Sequence, residues 1–163
     1  IIHPGIDIYA DFISNEIRKD VENIIGNKHP VITTLARVEK RKGHKYIIYA
    51  VHELKNKFPY LIYLIAGKGP YLETIKGLVK KLNLEKHVLF LGWITEPEKS
   101  VILAKSDVFA MTPVTSGESV EGFGMAFIDA AFHGVAALGS DDGGIKDAII
   151  DGQTGIICKK NDQ

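Results

Sequence analysis

Two carboxylates, Glu121 and Asp129, stand eight positions apart in "SVEGFGMAFIDAAFHG" (119–134), an otherwise apolar stretch opened by Gly122 and Gly124. The apolar spacing predicts a helix from Phe123 to Gly134, because Phe123, Ala126, Phe127, Ala130 and Ala131 fall on one face. Glycines ahead of that helix leave its first backbone N–H groups uncovered, an arrangement that suits an anion. Glu121 then lies just before the helix and Asp129 about six residues into it, roughly 9 Å along the axis. A ligand touching both would carry hydroxyls at each end and negative charge between them. The hexose, diphosphate and ribose of a nucleotide sugar have that layout. Taken singly, Glu121 is a favourable charge at a helix start and Asp129 an exposed helical position.

A second set lies in "ARVEKRKGH", where Arg37 and Lys42 are five residues apart and Gly43 opens the next helix. Two cations beside a helix N-terminus make a place for a doubly charged anion such as a diphosphate. Alone, with Lys40 and Arg41 also present, this loop reads first as a solvated basic surface. In "AGKGP", Gly67 and Gly69 leave room for close backbone approach to a ligand. The G-x-G-x-x-G and G-x-x-x-x-G-K-[ST] patterns are both absent. Gly92-Trp93-Ile94 offers backbone groups and an apolar wall to a flat ring, or else Trp93 is simply packed. No metal set is apparent: His44 and His52, eight apart on one predicted helix, need not converge.

The elements that must position these residues alternate between short apolar or β-branched runs and amphipathic helical runs. That alternation is the mark of a parallel sheet with crossover helices. Strands are expected at "VITTLA" from Val31, "LIYLIAG", "HVLFLG", "DVFAMTP", "VAALGS" and "GIIC". Between them fall "HKYIIYAVHELKNKF", with Tyr46, Ile47, Ala50, Val51 and Leu54 on one face, and "YLETIKGLVKKLN", with Pro70 near its first position. "TEPEKSVILAKS", N-capped by Thr95, and a short helix in "DDGGIKDAIID" complete the set. About six parallel strands with helices between them make an α/β, doubly wound, Rossmann-like domain. In such sheets ligands sit beyond the carboxyl ends of the strands, where every loop singled out above is found.

At 163 residues, with 45% hydrophobic and 25% charged residues, the chain suits one globular domain. Twenty basic and twenty acidic residues balance, which argues against nucleic acid as a partner; membrane contact is not evident. One cysteine, Cys158, allows no internal disulfide and fits the cytoplasm; it reads as an inert core thiol. No apolar run approaches the roughly 20 residues that span a bilayer.

The order "ARVEKRKGH", "LIAGKGP…VLFLGWI" and "SDVFAMTPVTSGESVEGFGMAFIDAAFHGVAALGSDDGGIKDAIIDGQTGII" resembles the C-terminal, donor-binding half of retaining glycosyltransferases. The likeness is to the large family 4 group, whose GT-B fold has two facing Rossmann-like domains. It covers nearly the whole chain, and "HPGID" looks like the family's interdomain linker. The resemblance therefore implies a linker remnant over residues 1–12 and a nucleotide-sugar-binding domain over 13–163. An N-terminal acceptor domain of the same enzyme would lie outside this sequence, as would a C-terminal helix.

It further implies that Arg37 and Lys42 hold the donor diphosphate and stabilise charge on the leaving group. Glu121 matches the first glutamate of the family's Glu–seven residues–Glu motif, which contacts the transferred sugar. Phe123, Gly124 and Met125 match the turn at the sugar and phosphate, and backbone near Ile94 matches the base contact. Asp129 takes the place of the second glutamate, which holds the ribose hydroxyls; it is one CH₂ shorter, about 1.5 Å, so its ribose contact must be closer or water-bridged. His133 reads as a helix-end residue and Asp147 as structural. No cofactor is implied, since Arg and Lys do what a divalent ion does elsewhere. Two other readings stay open: a nucleotide-sugar-binding module without catalysis, and a sugar-nucleotide epimerase of the same fold.

Overall fold

The computed structural model describes residues 13–115, 122 and 124–159. The linker assigned to 1–12, with its "HPGID", lies outside the described residues, as do Glu121 and Phe123. Six strands form one sheet: β1 (Val31–Leu35), β2 (Ile62–Ala66), β3 (Val88–Gly92), β4 (Val108–Met111), β5 (Ala136–Ser140) and β6 (Gly155–Cys158). Every pairing is parallel and the order is β3-β2-β1-β4-β5-β6. This is the doubly wound Rossmann order, and it reverses direction between β1 and β4.

Helices α2 (His44–Leu54) and α3 (Leu72–Lys81) cover one face of the sheet. Strand β2 is buried at every position, as a central parallel strand must be. Its Tyr63 and Ile65 meet Ile47, Ile48, Val51, Ile75 and Val79 of those helices. Its Ile62 and Leu64 point the other way, toward α4 (Glu96–Ala104) and a helix not anticipated from the sequence, α1 (Asn15–Ile25). Ser14 caps α1 through the backbone N–H of Ile17. On that same face β4 and β5 pack against α5 (Met125–Phe132) and α6 (Ile145–Ala148) through Phe109, Met111, Phe127, Ala137 and Ile149. The Phe109 and Phe127 rings meet edge to face at 5.3 Å.

Several expected details shift. The buried side of α2 is His44, Ile47, Ile48 and Val51, while Ala50 is exposed; the helix is turned so that its first residue is drawn inward. Helix α3 begins at Leu72, so Pro70 precedes its first turn. Thr95 does cap α4, in a reciprocal capping box with Glu98. Those hydrogen bonds, first from the Thr95 backbone and then from its hydroxyl, hold the Glu98 carboxyl below the ordinary glutamate range. Helix α5 starts two residues later than expected, and Ala131 faces solvent.

Beneath the site the strands are tied by buried hydroxyls. Thr34 Oγ1 lies 2.7 Å from the Tyr63 hydroxyl and donates to the Ala110 carbonyl, linking β2, β1 and β4. Burial of Tyr63 raises its phenol pKa far above the usual range, so the group stays neutral and hydrogen-bonded.

Candidate functional site

The loops at the carboxyl ends of the strands lock into one another through main-chain contacts. Past β1, the chain continues to pair with the loop after β2: Ala36 N–H donates to Ala66 O at 3.1 Å and Val38 N–H to Lys68 O at 3.0 Å. Gly67 N–H in turn donates to Gly92 O at 2.6 Å. A Cβ on Gly67, whose φ is +144°, would overlap the Ala36 carbonyl, and one on Gly69 would overlap that of Val38. Gly67 thus has a packing reason for being glycine, independent of any ligand.

The basic loop after β1 makes a single 3-10 turn, Lys40–Lys42, and ends at Gly43 with φ 79° and ψ 6°. That left-handed residue opens α2 and sits directly against Thr112, at the end of β4. Thr112 Oγ1 donates to Gly43 O at 3.3 Å, and Val114 N–H donates to Arg41 O at 2.7 Å. The structure therefore brings the loops after β1 and β4 together at the point where the strand order reverses. The loop after β4 is also fastened to the loop after β5. Buried Asp142 accepts the Thr115 N–H at 2.8 Å and its hydroxyl, while Ser140 donates to Pro113 O.

Among the predicted site residues, Arg37 is 74% exposed and pairs with Glu39 at 3.0 Å. The other oxygen of Glu39 takes Arg41 Nε at 3.0 Å. Lys42 closes the 3-10 turn and is half-buried. His44, next to it, is fully buried, and neither ring nitrogen has a hydrogen-bond partner among the described residues. Its pKa is pushed down to about 4, by burial first and by the Lys42 charge second, so the imidazole is neutral. Trp93 is 71% exposed and so is not a packed core ring; Ile94 beside it packs partly against the α1–α4 layer.

Gly124, with φ 72°, caps α5 and its carbonyl accepts from Phe127 N–H at 2.8 Å. Met125 is the first residue of the helix. Because α5 starts there, Asp129 lies four residues in, about 6 Å along the axis rather than 9 Å. Asp129 is not an exposed helical residue either: its side chain is 15% exposed and its Oδ2 lies 3.1 Å from Lys99 Nζ of α4. Lys99 escaped the sequence reading because nothing local marks a partner thirty residues away. His133 stays at the end of α5, its Nδ1 2.8 Å from Asp129 O. Among the described residues no group of three or more His, Cys, Asp or Glu side chains is placed to hold a metal ion, and no helix is long and apolar enough to cross a membrane.

The family model of the glycosyl transferases group 1 matches residues 15–163. The chain belongs to that family. Among its curated relatives, a GDP-mannose-dependent alpha-(1-6)-phosphatidylinositol monomannoside mannosyltransferase of Mycolicibacterium smegmatis is 36% identical over 162 residues. The match takes in 98% of this chain and 42% of that protein, so the chain spans about two fifths of its relative's length. The Anabaena protein HepE, solved in complex with UDP-glucose, superposes with a TM-score of 0.77 at 20% identity, over 91% of this chain and 40% of that one. The C-terminal domain of a group 1 protein (LpcC) from Francisella tularensis gives a TM-score of 0.74 at 18% identity, over 96% and 81%. That neighbour was solved as a C-terminal domain.

Proposed function

We propose that this chain is the donor-binding half of a retaining, family 4 glycosyltransferase that takes a nucleoside-diphosphate sugar and passes the sugar to an acceptor held by the rest of the enzyme. The observation carrying this reading is the meeting of the Arg37–Gly43 loop with the end of β4 at the reversal of strand order. Arg37 and Lys42 neutralise the diphosphate as it departs, which lowers the barrier where negative charge develops, and no cofactor is assigned. Glu121 is assigned to the transferred sugar, and Phe123, Gly124 and Met125 to the sugar and phosphate. Backbone near Ile94 takes the base, with Gly67 on the cleft floor, and Asp129 takes the ribose. The mycolicibacterial relative's name makes a GDP sugar the first donor to test. The enzyme would work in the cytoplasm, reaching a membrane surface through its other half across the linker at 1–12.

Calorimetric titration of the chain with GDP, UDP, ADP and inorganic pyrophosphate tests the reading. One nucleotide should bind at least tenfold more tightly than pyrophosphate, since base and ribose add contacts. Equal, weak binding of all four would discard the donor site.

Glu39 competes with any phosphate for Arg37. Glu39→Gln is therefore expected to tighten diphosphate binding about two- to fivefold, the range of an exposed ion pair. A weaker complex in the same titration would mean that Glu39 orients Arg37 instead.

A further inference from the structure

The Lys99–Asp129 pair carries an inference that deepens the donor-site reading and rests on it. Lys99 belongs to the first turns of α4, Asp129 to α5, and their side chains are only 20% and 15% exposed. Glu96, also on α4, holds the same ammonium from the side at 2.5 Å. Burial alone would lower the Lys99 pKa, but hydrogen bonds to Glu96 and Asp129 outweigh it and hold the group above the usual lysine range. The ammonium is thus charged and fixed in direction by two carboxylates.

The remaining valences are informative. An ammonium has three N–H groups, and two point at Glu96 and Asp129. Asp129 uses Oδ2 on Lys99, and among the described residues no donor reaches its Oδ1. Among the described residues, one free donor and one free acceptor therefore stand side by side on a half-buried, oriented pair. Two hydroxyls on adjacent carbons, each able to donate and to accept, are the complement of such a pair. A lone glutamate would have to reach the ribose by itself. Here the shorter aspartate is joined by a lysine that supplies the missing reach and a charge-assisted hydrogen bond.

We propose that Lys99 is a specificity-determining residue at the ribose end of the site, its ammonium donating to one hydroxyl of the vicinal diol while Asp129 Oδ1 accepts from the other. Recognition of the diol is then shared between α4 and α5, and it depends on Lys99 as much as on Asp129.

The test crosses protein variants with ligand variants. GDP and 2′,3′-dideoxy-GDP are titrated calorimetrically into the unaltered chain, Lys99→Met, Lys99→Arg and Asp129→Ala. If UDP is the better ligand in the titration above, UDP and its dideoxy form replace them. The unaltered chain should prefer the ribonucleotide about tenfold or more. Lys99→Met should cut that preference to about threefold or less while the dideoxy ligand binds within twofold of before, and Lys99→Arg should restore part of it. A merely structural lysine would weaken both ligands alike and leave the ratio untouched. If Lys99→Met keeps the full preference while Asp129→Ala loses it, the assignment of Lys99 is overturned and the donor site stands. If Lys99→Met binds GDP more tightly, Lys99 competes with the ribose, and the assignment is again overturned. If Asp129→Ala also keeps the full preference, the ribose lies elsewhere and the donor-site reading falls with it.

Discussion

Arg37→Ala is expected to weaken nucleoside-diphosphate binding about a hundredfold while moving the melting temperature by no more than about a degree or two. The two halves of this expectation have separate causes. Arg37 projects from the loop after β1 with 74% of its side chain exposed, and its one ion pair among the described residues is with Glu39. Exposed pairs of this kind contribute about 0–1 kcal/mol to folding. A guanidinium placed on a diphosphate makes charge-assisted, bidentate hydrogen bonds, and removing it costs about 2–3 kcal/mol, which is about a hundredfold in affinity. Lysine should recover only part of the loss, because it keeps the charge but not the planar fork. Calorimetry with the nucleoside alone provides the control: its affinity should not change. Diphosphate affinity within threefold of the unaltered chain would move the phosphate site away from this loop.

Gly43→Ala is expected to be strongly destabilising, for reasons that involve no ligand. With φ at 79° the residue lies where a Cβ meets its own backbone, a penalty of about 1–2 kcal/mol. The added carbon would also overlap the Thr112 carbonyl and hydroxyl. Relief requires the start of α2 to part from the end of β4, straining the Thr112–Gly43 and Val114–Arg41 hydrogen bonds. Together these make about 3–4 kcal/mol, a large share of the 5–15 kcal/mol that holds a typical domain. Gly134 has nearly the same φ, 72°, but open space where its Cβ would go. Gly134→Ala should therefore show the backbone penalty alone, and the difference between the two in urea denaturation isolates the overlap. Equal losses would mean that the β1 and β4 loops do not pack as described.

Much of this architecture could be read before any coordinates, because its determinants are local. The unbroken apolar run around Ile62–Ala66 announces a strand buried on both faces, and Thr95 announces a helix start. Helix α1 was missed although Ile13, Ile17, Val21 and Ile25 recur every fourth residue, a signal that short polar stretches between them obscured. The orientation of α2 was misjudged because Ala50 looks apolar and His44 polar, whereas the turn at Gly43 carries His44 inward. The charge and spacing of Arg37 and Lys42 mark a basic loop that suits an anion, but do not by themselves tell it from a solvated surface. The environment of Asp129 was not legible, since its partner Lys99 arrives from another helix only once the sheet has formed. The packing need for glycine at Gly67 was equally hidden, because Ala36 reaches it through tertiary contact alone.

The close approach of Ala36 to Gly67, Val38 to Gly69 and Gly43 to Thr112 means that the loops after β1, β2 and β4 meet largely through main chain. Apart from the Thr112 hydroxyl, such a seam offers few side chains to exchange, so substitution chiefly keeps or breaks it. Diversification among descendants of such a chain is then channelled to side chains clear of this seam, such as the exposed Arg37 and Trp93. Substitutions can be tried there one residue at a time without placing the fold at risk.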